Sequence, residues 1–231
     1  MISSIIGIDS RTTMDMDVTI KSYPVAKNKI QAMMENISKI NLNDNITFSF
    51  KNIYEIREND EYNGYRITLT ANFPPMAVPL KIDITTGDKI VPCEINYNYK
   101  LMFENRSIEI LAYNLETILA EKLETIISRS DQNTRLRDFY DIYILTKLKL
   151  NEINFTTLSL ALKETAEKRN TLKLLSEYKS IIEIVKNSNV MNFHWNNYCK
   201  NFNYAKNIEF SKTCSAIIFL MEKINLQSNI P

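Results

Sequence analysis

Asp15-Met16-Asp17-Val18-Thr19-Ile20-Lys21 alternates in character from residue to residue and carries β-branched side chains at 18–20. That is the pattern of a strand. Two acids separated by one residue on a strand point to the same face, where both can bind one hard cation. A second strand with the same feature follows at Lys81-Ile82-Asp83-Ile84-Thr85. Its acid sits between apolar neighbours in a segment otherwise suited to a core, and burying such a charge is costly unless something compensates it. A metal ion is a natural compensator. The expectation is a trio, Asp15, Asp17 and Asp83, that holds two Mg²⁺ ions and through them a nucleoside triphosphate. The competing reading is that an Asp-x-Asp pair arises by chance and is simply solvated.

Outward from this pair, Arg11-Thr12-Thr13 forms a short basic, hydroxyl-bearing turn just before it. Arg11 and Thr13 are candidate phosphate contacts, although an exposed Arg that merely offsets the acids accounts for them equally. Downstream, Pro24 suits a first helical turn, and Ile30, Met33, Ile37 and Ile40 recur at three- and four-residue steps, which predicts a helix over 25–40. Phe48 to Arg57 and Tyr65 to Phe73 read as antiparallel strands joined by a polar turn at 59–64. After Pro74-Pro75, Val78 to Thr85 reads as a further strand closed by Gly87-Asp88, and Ile90 to Tyr97 as an edge strand.

From Asn114 the period changes to that of a helix. Asn114 suits an N-cap and Glu116 the first turn, so a helix is expected to about Ser128, then another from Arg135 to Lys149. Beyond Asn151 the pattern predicts helices at about 155–169, 172–187, 194–205 and 208–226, with no strand. The expected fold is therefore α+β: a mixed sheet flanked by helices over 1–150, then a helical bundle over 151–231.

Composition bounds the class. The 231 residues are 45% hydrophobic and 24% charged, with only 3 Gly and 6 Pro, which fits a globular chain and argues against disorder. A net charge of +1 neither requires nor excludes a polyanionic partner, because a basic cleft can hide in a balanced total. Cys93, Cys199 and Cys214 have no metal-like spacing and fit free thiols in a reducing cytosol. No apolar run reaches the length of a membrane span, and Met1-Ile-Ser-Ser-Ile-Ile6 lacks the basic segment of a signal peptide. A cytoplasmic protein without membrane association is expected.

On the helix at 114–128 the apolar stripe is Leu115, Ile118, Leu119 and Ile126, and Lys122 falls on it, four residues from both Ile118 and Ile126. An inward lysine is best explained if its ammonium reaches an anion, either a triphosphate or an acid cluster; the alternative is a snorkelling side chain. Arg129, Arg135, Arg137, Asp138 and Asp141 then crowd the junction with the next helix. Asp138 and Asp141 share one face, and an Arg137–Asp141 surface pair is the bland alternative. Tyr140 and Tyr143 could stack on a base, but their helical spacing favours the core.

These pieces together resemble a known family. Gly7-Ile-Asp-Ser-Arg-Thr-Thr-Met-Asp-Met-Asp17, Lys81-Ile-Asp-Ile-Thr85, Leu119-Ala-Glu-Lys-Leu123 and Arg137-Asp-Phe-Tyr-Asp141 look like the four successive motifs of the AbiEii/AbiGii nucleotidyltransferase toxins, within the DNA polymerase β-like superfamily. The resemblance covers about 1–150, and the order of its motifs makes it specific. It implies that Asp15 and Asp17 are the metal-binding pair, Asp83 the third acid, Lys122 the lysine that contacts nucleotide phosphates, and Asp138 an acid needed for activity. It also implies Mg²⁺, an NTP substrate, a tRNA acceptor in some members, and a type IV antitoxin or abortive-infection setting. The family's first motif opens with Gly-Gly or Gly-Ser after several tens of helical residues. Here only Ile-Ser-Ser-Ile-Ile separates Met1 from Gly7, so the expectation is a first domain truncated relative to the family.

Three functions follow in order of preference. The first is a Mg²⁺-dependent transfer of NMP to an RNA or protein hydroxyl, with Asp83 as base. The second is a non-catalytic remnant that binds nucleotide or RNA. The third is a metal-dependent nuclease, for which Lys81, on the same side of its strand as Asp83, supplies the lysine.

Overall fold

The computed structural model describes residues 2–7, 15–21, 26–56, 64–101 and 104–228, with the side chains of Asp15 and of residues 225–228 outside that description. The chain forms two compact units, Thr13–Asp88 and Met1–Thr12 together with Lys89–Pro231. The architecture is a mixed α/β one with a sheet and flanking helices.

The first unit contains β1 (Asp15–Ile20), α2 (Lys27–Ser38), β2 (Thr47–Ile56), β3 (Gly64–Phe73) and β4 (Met76–Thr86), after a short α1 (Ile2–Ile6) that belongs to the other unit. The strands lie in the order β1-β4-β3-β2, with β1 parallel to β4 and the other pairs antiparallel. Alternation gives this sheet two unlike faces. Ile53, Tyr65, Ile67, Leu69 and Ile84 form its buried apolar face and pack on Ile30 and Met34 of α2. On β2 the apolar positions Phe50 and Ile53 are three apart, a spacing that would send them to opposite faces of a regular strand. The register shift between Phe50 and Asn52 makes Lys51 a bulge, so both side chains reach the same core. The α2 stripe is only partly used, since Ile37 and Ile40 remain exposed.

The second unit opens, after α1, with a hairpin of β5 (Ile95–Lys100) and β6 (Ser107–Ala112) that forms a sheet of its own. The edge strand expected over 90–97 is thus displaced: its residues from 95 on pair with a strand that the sequence pattern does not announce, because both strands are half-exposed and lack a clean apolar alternation. Then come α3 (Leu115–Arg129), α4 (Leu136–Lys149), α5 (Phe155–Lys168), α6 (Leu172–Leu175), α7 (Tyr178–Asn187), α8 (Asn189–Asn201) and α9 (Phe210–Ser228). The helix expected at 172–187 is interrupted at 176–177, and the one expected at 194 begins at Asn189, capped by Ser188. Among the described residues no helix is long and apolar enough to cross a membrane.

α3 is the axis of this unit. Asn114 caps it by accepting from the Thr117 amide at 2.7 Å, and the Asn114 side chain also donates to the Val91 carbonyl. Leu119, Leu123 and Ile126 are fully buried, and the core they share includes Phe139, Ile142, Leu158, Ile182, Trp195 and Ile217 from the later helices. The helices of 115–149 therefore belong to the same core as those beyond 150. The compositional change near 150 is not where the packing divides; that falls between Asp88 and Lys89. Polar cross-ties reinforce the core. Glu116 accepts from the Asn154 amide at 2.8 Å, and the nearly buried Glu124 accepts from Arg169 and from the Thr171 hydroxyl.

Leu123→Ala should destabilise the helical unit by about 2–5 kcal/mol, the cost of removing a fully buried leucine from a core that cannot collapse onto the gap. Trp195 is the sole tryptophan and lies in this core, so denaturant unfolding followed by its fluorescence reads this unit directly. An unchanged midpoint would show that α3 is not its packing axis.

Candidate functional site

The polar face of the first unit's sheet carries the acids Asp17 and Asp83 singled out from the sequence. In the parallel register Asp17 lies opposite Asp83 and Asp15 opposite Lys81. In-register neighbours share a face, so Asp17, Lys81 and Asp83 belong to the side away from α2. The row continues across the sheet: Asp83 is paired with Arg66, and Arg66 with Tyr54. Asp17–Asp83–Arg66–Tyr54 is thus one line over all four strands, on a face where Asp17, Arg66 and Tyr54 are exposed.

Arg66 is the partner that sequence reasoning missed. Its Nε donates to Asp83 Oδ1 at 2.8 Å and its Nη2 to Asp83 Oδ2 at 2.7 Å, a two-point fork on the carboxylate. The compensating charge for Asp83 is therefore a guanidinium on the adjacent strand. The only signal for it was an arginine at a polar-face position of β3, and naming its partner required the β3–β4 register. A second feature also went unread. Asp88 accepts from the Thr19 and Thr85 hydroxyls at 2.5 and 2.6 Å, and those threonines are 3.1 Å apart, which ties β1 to β4 one step beyond the acid pair.

The donor set fits a hard divalent cation: two carboxylates on neighbouring strands supply oxygen ligands from one face. Among the described residues no group of three His, Cys, Asp or Glu side chains gathers at one point, and the Asp15 side chain is outside the description. Arg11 and Thr13 also lie outside the described residues.

Lys122, in the helical unit, does reach anions, and they are carboxylates of the next helix. Its Nζ lies 2.5 Å from Asp138 Oδ1 and 2.9 Å from Asp141 Oδ2. The Asp141 side chain is wholly buried, while those of Lys122 and Asp138 keep 15% and 11% of their surface exposed. Asp141 is accordingly not an exposed partner of Arg137, whose guanidinium lies over the Phe202 ring. Burial pulls the Lys122 ammonium down, but Asp141 and Asp138 outweigh it and hold its pKa above the ordinary lysine value. Tyr140 is core, 4.7 Å from the Tyr204 ring, and Tyr143 is half-buried with Lys147 over its face.

The family model described as nucleotidyl transferase AbiEii toxin, type IV toxin–antitoxin system, matches residues 1–212. The chain belongs to the AbiEii nucleotidyltransferase toxin family. No curated protein matches it in sequence. Two solved structures are similar over 98% of this chain. One is a candidate nucleotidyltransferase from H. pylori, at 17% identity and a TM-score of 0.46 over 84% of that protein. The other is JHP933 from Helicobacter pylori, at 16% identity and a TM-score of 0.45 over 83% of it.

Lys122→Met strands two carboxylates, one wholly buried, and should cost about 3–5 kcal/mol. Because the ammonium's pKa is raised by folding, its contribution is fully present below the ordinary lysine value and fades only as pH climbs through the folded one. The stability gap between wild type and Lys122→Met, followed by Trp195 fluorescence, should therefore stay constant from pH 6 to about 10 and narrow above that. A gap that closes near neutrality would contradict the ion triad.

Proposed function

We propose that this protein is a Mg²⁺-dependent nucleotidyltransferase that moves an NMP from an NTP to a hydroxyl of an RNA, tRNA foremost, or of a protein. The carrying observation is the in-register placement of Asp17 beside Asp83 on an open polar face. Like charges directly opposite on neighbouring strands are destabilising. A fold that keeps such a pair half-open to solvent is suited to bringing in cations. Asp15, Asp17 and Asp83 would hold the metal. When bound, a divalent ion supplies charge stabilisation at the triphosphate and acidifies the attacking hydroxyl.

The chain's own residues then have distinct tasks. Arg11 and Thr13, which precede β1 in sequence, contact phosphates. Asp83 accepts the proton of the attacking hydroxyl as its oxygen bonds to the α-phosphorus; the bond to the bridging oxygen breaks and pyrophosphate departs. The family resemblance assigns Lys122 to the nucleotide phosphates, and Asp138 positions its ammonium through their ion pair. Membership of a type IV toxin–antitoxin family supports an antitoxin that counters this activity in the cytoplasm.

A nuclease is the second reading, favoured by Lys81, which is exposed, shares the face of Asp83 and is the register partner of Asp15. Incubation with each labelled NTP, Mg²⁺ and total tRNA separates the cases. Label should move to RNA or protein, and Asp17→Asn or Asp83→Asn should lower the rate by about 10³-fold, the several kcal/mol expected of a lost metal ligand. Breakdown of RNA or DNA without added NTP would instead support the nuclease. Failure of Mg²⁺-dependent NTP binding in calorimetry would leave a non-catalytic remnant.

A further inference from the structure

We propose that Arg66 is a built-in counter-cation of Asp83 with which a divalent ion must compete, so that the guanidinium sets the metal affinity of the acid face. This inference rests on Asp17 and Asp83 being metal ligands, as put forward above. The geometry that carries it is the single row Asp17–Asp83–Arg66, one carboxylate from each of two parallel strands and a guanidinium from the third strand. Arg66 engages both oxygens of Asp83, at 2.8 and 2.7 Å. A cation shared with Asp17 must take one of those oxygens, on a lone pair the fork leaves open or by displacing one arm of it, and either way it binds a carboxylate whose charge Arg66 already neutralises. Two positive charges therefore contend for one carboxylate, and each lowers its attraction for the other.

The pair is built to be opened. Asp83 keeps 17% of its side-chain surface and Arg66 46%, so the guanidinium can swing outward into water without leaving a hole in the core. An ion pair this exposed contributes little net stability, and a divalent ion gains more from the same oxygen than a spread monovalent charge does. In the absence of metal the guanidinium neutralises Asp83. In its presence Arg66, register partner of Tyr54 on the same open face, keeps a positive charge next to the place where a triphosphate would be gripped.

The test is Mn²⁺ and Mg²⁺ titration of the full chain at low ionic strength, read by calorimetry and by Mn²⁺ paramagnetic resonance, without any turnover. Arg66→Gln should bind the ion about tenfold more tightly than wild type, because one competing positive charge at contact distance is gone. Arg66→Lys, which keeps the charge but not the fork, should fall between the two. In an Asp83→Asn background the gain from Arg66→Gln should vanish, as a double-mutant cycle reports for directly coupled residues. An unchanged or weakened affinity in a folded Arg66→Gln overturns the proposal and leaves Arg66 as a support for Asp83. If Asp17→Asn and Asp83→Asn both bind the ion as wild type does, the acid face is not the metal site, and it is that earlier reading which falls.

Discussion

Two carboxylates face each other across the parallel strands β1 and β4, and the mutual repulsion of Asp17 and Asp83 is the constraint around which the sheet is organised. Nothing in strand pairing alone tolerates it; like charges directly opposite weaken a sheet. Three features of the sequence offset the cost. The opposite face is densely apolar and seals onto α2, which fixes the register that makes the acids meet. Thr19, Thr85 and Asp88 tie the same two strands together one step along. Arg66 then supplies a positive charge from the third strand. A slip of one residue would turn every side chain of β1 to the wrong face, so the hydrophobic pattern that stabilises the sheet also aims the acids.

The helical unit solves a related problem differently. Lys122, Asp138 and Asp141 bring two negative charges and one positive charge into a nearly dry space between α3 and α4. Such groups seldom add net stability, but breaking one of them leaves an uncompensated charge. Together with the buried Glu124 and its partners Arg169 and Thr171, they define how the α3 surface meets its neighbours. Apolar contacts alone would leave this alignment less specific.

Much of the sheet was legible in the sequence because its elements obey simple periods. The two-residue spacing of Asp15 and Asp17 and the isolated acid in Lys81–Thr85 announced their strands and a shared face, and the four-residue step from Ile118 to Lys122 to Ile126 announced an inward lysine. What could not be read depends on contacts distant in the chain. The partner of Asp83 lies 17 residues away and is set by register. The bulge at Lys51 breaks the period that strand reading relies on. β6 is short and half-exposed, and its pairing with β5 follows no strong alternation. The division at Asp88 escaped notice because α3 and α4 look like ordinary amphipathic helices and only their packing shows which core they join. The family match over 1–212 covers both units, which agrees with the motifs being split between them.

The strand that carries the acids is terminal in its sheet, with β4 as its one neighbour among the described strands. An outermost strand is an invitation for another chain to zip onto its unused amide and carbonyl groups, and natural proteins discourage this with charge along the rim. Asp15 and Asp17 sit on that rim. Their negative charge discourages such pairing, and neutralising either acid would loosen that guard.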